Sequence, residues 1–249
     1  MPQSNSPFAV VTGVSGRIGF ALAERCAGYG FDMIVADAAP DVVEAAERLR
    51  AHGVAVEAVR LELDTVDGVD ELCDIAGVLG RPIDALLAGA GAKAAPRFLD
   101  EDVEVLADSL DLGVAAPLRL AHRIGRQMRG RGEGRILIAG APAAETLSEA
   151  VVTCGANAFL AGFSIALRDT LKDSGVSVTY LAPRPRRAGA AESCARVLAA
   201  QDARRGFDAM MRGDLGLTAD GAASLAYAAG CAREAPPAFV ETEPRSFKD

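Results

Sequence analysis

Three glycines fall in a nine-residue stretch that ends a short apolar run: Val11-Thr12-Gly13-Val14-Ser15-Gly16-Arg17-Ile18-Gly19. Between a strand and a helix, such glycines permit a tight turn. They also let a phosphate approach the helix N-terminus, where unpaired N–H groups and the helix dipole favour an anion. Asp37 lies 18 residues beyond Gly19, at the end of a second apolar run. An acidic residue there can accept the hydroxyls of an adenosine ribose. Gly13, Gly19 and Asp37 together point to dinucleotide chemistry. The competing structural reading is that the glycines only let a helix pack close, and that Asp37 caps a turn. Two other side chains have chemistry to offer. Cys154 could act as a nucleophile, but its helical setting beside Gly155 and Ala156 makes it a packed thiol. His122, among Arg119, Arg123 and Arg126, has no carboxylate nearby in sequence and reads as a solvated or interface histidine.

The elements that would hold these residues alternate along the chain. Strands are expected at Phe8–Val11, Met33–Ala36, Val54–Leu63, Asp84–Ala88, Ile136–Ala139 and Val176–Leu181. Helices are expected from the glycine loop to Ala27, and over Asp41–Ala51, Val69–Leu79, Asp102–Met128 and Ala150–Lys172. Within Asp41–Ala51, Val42, Ala45, Ala46 and Leu49 recur at helical spacing. Repeated strand–helix alternation implies a parallel sheet covered on both faces. The expectation is an α/β fold: a single Rossmann-type, doubly wound parallel sheet of about seven strands spanning residues 1–249. The region 184–217 interrupts the alternation and reads as an irregular substrate loop. A helix over Ala219–Ala232 and a short strand over Ala238–Glu241 follow it.

Composition limits the functions. The chain has 249 residues, 50% hydrophobic and 24% charged, which suits one globular core. A net charge of −8 argues against nucleic acid or an anionic membrane as partner. The odd, scattered cysteines (Cys26, Cys73, Cys154, Cys194, Cys231) and two separate histidines argue against a disulfide framework or a metal site and fit a cytoplasmic protein. Nothing reads as a signal peptide or approaches the ~20 apolar residues of a membrane span.

From about Phe8 to Val240 the chain resembles the short-chain dehydrogenase/reductase family. Thr12–Gly19 is similar to that family's TGxxxGxG loop. Asp64 matches its adenine-contacting Asp. Asp84-Ala85-Leu86-Leu87-Ala88-Gly89-Ala90-Gly91 resembles its D-x-L-V-N-N-A-G segment, and Gly134-Arg135-Ile136 its entry to the fifth strand. Ala158-Phe159-Leu160-Ala161-Gly162-Phe163-Ser164 resembles the stretch after its active-site lysine. The resemblance implies carbonyl or alcohol chemistry by a Tyr-x-x-x-Lys pair, a Ser and an Asn. The Tyr is the acid/base, with its pKa lowered by the Lys cation, which also holds the nicotinamide ribose.

Those positions fall on Thr153, Asn157, Ala141 and Gly113, and none has the required chemistry. No Tyr-x-x-x-Lys occurs anywhere in the chain. Arg17 replaces the loop's second glycine, where its side chain either fills the pyrophosphate position or pairs with phosphate. Arg184 follows Pro183 where the family has Gly, a bulky cation in the tight site that approaches the nicotinamide. Gly13, Gly19, Asp37 and Asp64 are then vestigial cofactor residues, and this chain is expected to bind no cofactor. Arg119, Arg123, Arg126, Arg129, Arg131 and Arg135 form a basic stripe read as an exposed face. Arg184, Arg186 and Arg187 form a denser group that either stays solvated or meets CoA phosphates or a partner's acidic rim.

In the family, the helix that carries Phe159, Gly162 and Phe163 joins the preceding long helix in the subunit interface. The reading that follows is a non-catalytic subunit. It would assemble, as a hetero-oligomer and most simply a tetramer, with an active paralogue that binds NAD and acts on a hydroxyacyl-CoA or another alcohol. The alternatives are a stand-alone ligand- or dinucleotide-sensing protein, and an enzyme with replaced chemistry using Cys154 or His122.

Overall fold

The structure, a computed structural model, describes residues 6–89, 98–142, 151–184 and 191–217. Its centre is a parallel sheet of six full strands and a two-residue seventh. The strands are β1 (Phe8–Thr12), β2 (Asp32–Asp37), β3 (Val56–Arg60), β4 (Ala85–Gly89), β5 (Gly134–Ala139), β6 (Val176–Leu181) and β7 (Gly216–Leu217), in the spatial order β3-β2-β1-β4-β5-β6-β7. The order reverses between β1 and β4. In open α/β sheets that reversal opens a crevice at the carboxyl ends of the strands, where ligands bind.

Continuous apolar runs form the central strands because both of their faces are covered. Every residue of β1 is buried. Successive side chains go to opposite faces. Val11, Val35 and Leu87 pack on one side with α1 (Arg17–Gly28) and α2 (Val42–Arg50). Val10, Ile34 and Leu86 pack on the other with α3 (Val66–Val78) and α5 (Ala116–Arg131). Thr65 starts α3 by accepting the Gly68 N–H at 3.0 Å. Asp84 pins β4 to β1, since its Oδ2 accepts the Phe8 N–H at 2.8 Å.

The expected long helix over 102–128 is present but divided. It runs as α4 (Val103–Leu110), a π-helical turn (Asp111–Ala115) and α5. The π turn carries Gly113. Such turns are rare and often mark functional positions. The helix α6 (Val151–Leu171) packs on β6 and lies against the π turn.

Two expectations need correction. The described part of the region 184–217 is not an irregular loop. Its larger part is a 21-residue helix, α7 (Glu192–Arg212), packed against α1. The inward residues of α7 include Ala199, Ala203, Gly206, Phe207 and Met210. Most are small, so the apolar period is faint, yet Phe207 is fully buried with its ring 4.8 Å from Tyr29 and 6.3 Å from Phe31. The second correction concerns membrane-length segments. Among the described residues one helix, α6, is long and apolar enough to span, with 21 residues. Its docking on the sheet through Leu160 and Ser164 makes it part of this fold. The expected elements beyond residue 217 lie outside the described residues.

Candidate functional site

The loop after β1 is shaped by its glycines. Gly13 has φ +73°, which a side chain rarely adopts, and a Cβ there would come within 3.2 Å of the Gly89 carbonyl. At Gly19 a Cβ would lie 2.0 Å from the Gly13 carbonyl oxygen. The glycines therefore do what the structural reading required, bringing α1 against the loop.

Asp37 is spent on the same construction. Its Oδ2 accepts the Ser15 N–H at 3.0 Å and its Oδ1 the Ala39 N–H at 3.1 Å. The Ser15 hydroxyl donates to Asp41 at 2.6 Å. Asp37 thus caps the turn after β2 and ties that turn to the glycine loop. Asp64 stands with Thr12, Gly13 and Asp37 on the rim of a recess with an apolar wall of Leu112 and Pro117.

Both arginines expected to intrude on a ligand are turned onto α7. Arg17, first residue of α1, donates from Nε to Glu192 Oε1 at 3.0 Å and from Nη2 to Oε2 at 2.5 Å. The paired guanidinium, helped by Arg196, holds the Glu192 carboxyl down at about 2. Arg184 donates from its backbone N–H and Nε to Asp202 at 3.1 and 2.8 Å, and from Nη2 to Gln201 at 3.0 Å. The Asp202 side chain is only 5% exposed. The expected placement of the Arg184 side chain at a nicotinamide position is therefore overturned: its fork matches acceptors along α7. Arg186 and Arg187 lie outside the described residues.

Ala141 and Asn157, expected on resemblance to stand where a Ser and a Lys would, are in direct contact. Asn157 Oδ1 accepts the Ala141 N–H at 3.0 Å, and its Nδ2 donates to the Ala141 carbonyl at 2.8 Å. A carboxamide fits this backbone because it both donates and accepts, which an ammonium cannot. The Tyr180 hydroxyl donates to the Asn157 carbonyl at 3.1 Å. Burial pushes that phenol's pKa upward, away from phenolate. Gly140 admits the cluster, since a Cβ there would sit 2.4 Å from Asn157 Oδ1. Thr153 lies one turn before Asn157 on α6, half-buried, and Gly113 is buried in the π turn. Ala141 and Asn157 meet, and none of the four side chains is an acid, a base or a cation.

Cys154 is exposed, not packed. Ala156, Leu160 and Ser164 face inward, which turns residue 154 to the opposite side of the helix. The packed thiol is Cys26, whose pKa is raised by burial. His122 is exposed, as expected. Arginines of the basic stripe pair with neighbouring acids, Arg123 with Asp70 and Arg131 with Glu133. Sequence reasoning missed Glu192, Asp202 and the partners of Asn157. The only local signal was a pair of arginines at positions where glycine is usual.

The sheet order and the glycine turn at the strand reversal define a Rossmann-type, doubly wound α/β fold. The family model for short chain dehydrogenase matches residues 7–196, and the chain belongs to that family. It is 28% identical over 181 residues to the short-chain reductase protein NovJ of Streptomyces niveus, across 72% of this chain and 69% of that protein. It is 27% identical over 181 residues to the oxidoreductase YmfI of Bacillus subtilis, across 70% and 73%. Its fold matches a bulky-bulky ketone specific alcohol dehydrogenase from Comamonas testosteroni with a TM-score of 0.78 at 22% identity, covering 94% of this chain and 97% of that one. A short-chain dehydrogenase from Sphingobium yanoikuyae, solved with NADPH, gives 0.72 at 25% identity, covering 84% and 86%.

Proposed function

We propose that this chain is a non-catalytic short-chain dehydrogenase subunit that assembles with, and supports, an active NAD-dependent paralogue. One observation carries the reading. At the position that the resemblance gives to the lysine, Asn157 is bound to the Ala141 backbone by two hydrogen bonds, and Thr153 stands at the position of the acid/base tyrosine. An aliphatic hydroxyl cannot take over the work of a phenolate near neutral pH, and Asn157, one turn on, carries no charge to help.

This chain is expected to hold no nicotinamide dinucleotide in this reading, because Asn157, bound to the Ala141 backbone, offers no positive charge to a ribose. NAD therefore belongs to the partner subunit in this reading.

The outer face of α6 supports assembly. Only 22% of its most apolar stretch is buried. Val151 and Phe159 are exposed, and Phe159 stacks on Phe163 with centroids 5.9 Å apart. Gly162 is exposed and has nothing near its Cβ position, so another backbone can approach there. A heterotetramer of two such chains and two active subunits satisfies this face. In kind, this resembles the two-subunit 2-(hydroxybenzyl)succinyl-CoA dehydrogenase of anaerobic toluene degradation, which pairs a degenerate subunit with an active one. A hydroxyacyl-CoA or a related alcohol is then the substrate class of the partner.

The test is to search the neighbouring reading frames for a short-chain dehydrogenase with an intact Tyr-x-x-x-Lys pair and to co-express it with this chain; finding none would count against the reading. The reading expects one stable complex, and a partner that is poorly active or unstable alone. Full activity and normal assembly of the partner without this chain would overturn it.

A further inference from the structure

The long helix divided by the π turn carries its charges in two blocks. From Leu99 to Leu118 there are six acids, Asp100, Glu101, Asp102, Glu104, Asp108 and Asp111, and no basic residue. From Arg119 to Arg131 there are five arginines and His122, and no acid. The helix dipole favours acids at the start and bases at the end, but only within the first and last turns. Asp108, Asp111, Arg119 and Arg123 lie in the middle, so the dipole does not account for the division. An apolar row runs through both blocks. Val103, Leu110 and Leu118 are exposed, and Val114 is half-buried. In α4 only Leu106 is buried, and a helix of eight residues is marginal in water by itself. We propose that this face, from α4 through α5, packs antiparallel on the same face of a second copy of this chain.

The order of the charges selects the occupant. A two-fold contact must be self-complementary, because each patch meets its own image. Antiparallel packing centred on Ala115 turns the acidic half of each copy onto the basic half of the other. Glu104 then faces Arg126, Asp108 faces His122 and Glu101 faces Arg129, on either side of a centre made by Leu110, Val114 and Leu118. All six of those charged or titratable side chains are exposed. Arg119 and Arg123 are engaged within the chain, by Asp111 and Asp70. Glu101, Glu104, Asp108, Arg126 and Arg129 have no ion pair among the described residues. A patch of one sign would call for an unlike partner of the opposite sign. Two blocks in this order call for the same chain, and a parallel arrangement would set acid on acid. The contact joins like chains, so it goes beyond the reading above, which concerns an unlike subunit.

Sedimentation velocity of the isolated full chain tests this. The parent should be a dimer. Glu104→Arg and Arg126→Glu each bring like charges together at two places in the symmetric pair, so each should weaken dimerisation about tenfold. Mixed in equal amounts, the two variants should recover the parent's dimer, because each supplies at both places the charge that the other lacks. Leu110→Asp should give a monomer, since it puts a carboxylate in the apolar centre. A monomeric parent, a dimer that neither swap weakens, a mixture no tighter than its components, or a dimer that tolerates Leu110→Asp would each overturn the proposal. Thermal melts of each variant establish that the fold is kept. None of these measurements includes the paralogue, so the assembly role can fail while this result stands, and the reverse.

Discussion

The Asn157 carboxamide closes a ring on the backbone of Ala141, accepting its N–H at 3.0 Å and donating to its carbonyl at 2.8 Å. The two residues are 16 apart in sequence and join the end of β5 to the first half of α6. The residue that the resemblance aligns with a catalytic lysine fastens the end of β5 to α6. Gly140 and Tyr180 complete the contact, the first by leaving room and the second by donating to the Asn157 carbonyl.

Asn157→Ala should therefore cost stability. It leaves the Ala141 N–H and carbonyl without these partners, a loss of about 2 kcal/mol. Asn157→Lys should cost at least as much, because an ammonium cannot accept from the Ala141 N–H, and it should bring no dehydrogenase activity by itself. Urea unfolding midpoints of both variants check this. A midpoint equal to that of the parent would show that the ring is incidental.

Gly19→Ala should destabilise by about 1–3 kcal/mol, the usual cost of forcing an extra carbon into a packed site. Its Cβ would meet the Gly13 carbonyl at 2.0 Å, and that oxygen belongs to backbone with little freedom to retreat. Denaturant unfolding again gives the number. A neutral result would mean that the loop and α1 can separate freely.

The central fold was legible in the sequence, for a definite reason. Strands covered on both faces must be apolar throughout, so Val10 and Val11, Ile34 and Val35, and Leu86 and Leu87 announce β1, β2 and β4. The helix α7 was not legible, because Ala199, Ala203 and Gly206 supply close packing without a strong apolar period. At the site, the residue types at Gly113, Ala141, Thr153 and Asn157 could be compared with the family pattern from the sequence alone. What those residues do in the fold could not be read there, because it depends on contacts made through space. Glu192 meets Arg17 only once α7 has folded back on α1, and Asn157 meets Ala141 only across the end of β5.

The Arg17–Glu192 pair predicts a pH signature. An ordinary Glu carboxyl titrates near 4.5, and this one is held at about 2 by Arg17. Because the folded value is depressed, the pair's stabilisation is full above 4.5 and is lost as pH falls toward 2. An NMR titration should place the Glu192 midpoint near the lower value, and Arg17→Gln should move it up toward the ordinary one. A normal midpoint in the parent chain would contradict the contact.

Gly162→Asp should leave the isolated chain folded, because its Cβ position has nothing within 4 Å. In the complex, the same carboxylate would be buried unpaired at an apolar contact, at a cost of several kcal/mol. Size-exclusion chromatography of the co-expressed pair should show dissociation. An intact complex would move the contact away from α6. Ala161→Asp is the poorer probe, since Ala161 is 5% exposed and faces its own core.

The most direct test is steady-state turnover of the isolated chain with NAD and NADP, against alcohols in one direction and ketones in the other. General acid/base catalysis alone contributes about 10²–10⁴-fold, and in the proposed reading Thr153 and Asn157 do not supply it. The account predicts no turnover above the uncatalysed background with either cofactor. A rate above about 1 s⁻¹, the lower end of ordinary enzymes, would contradict it and make this chain an enzyme with a rebuilt site.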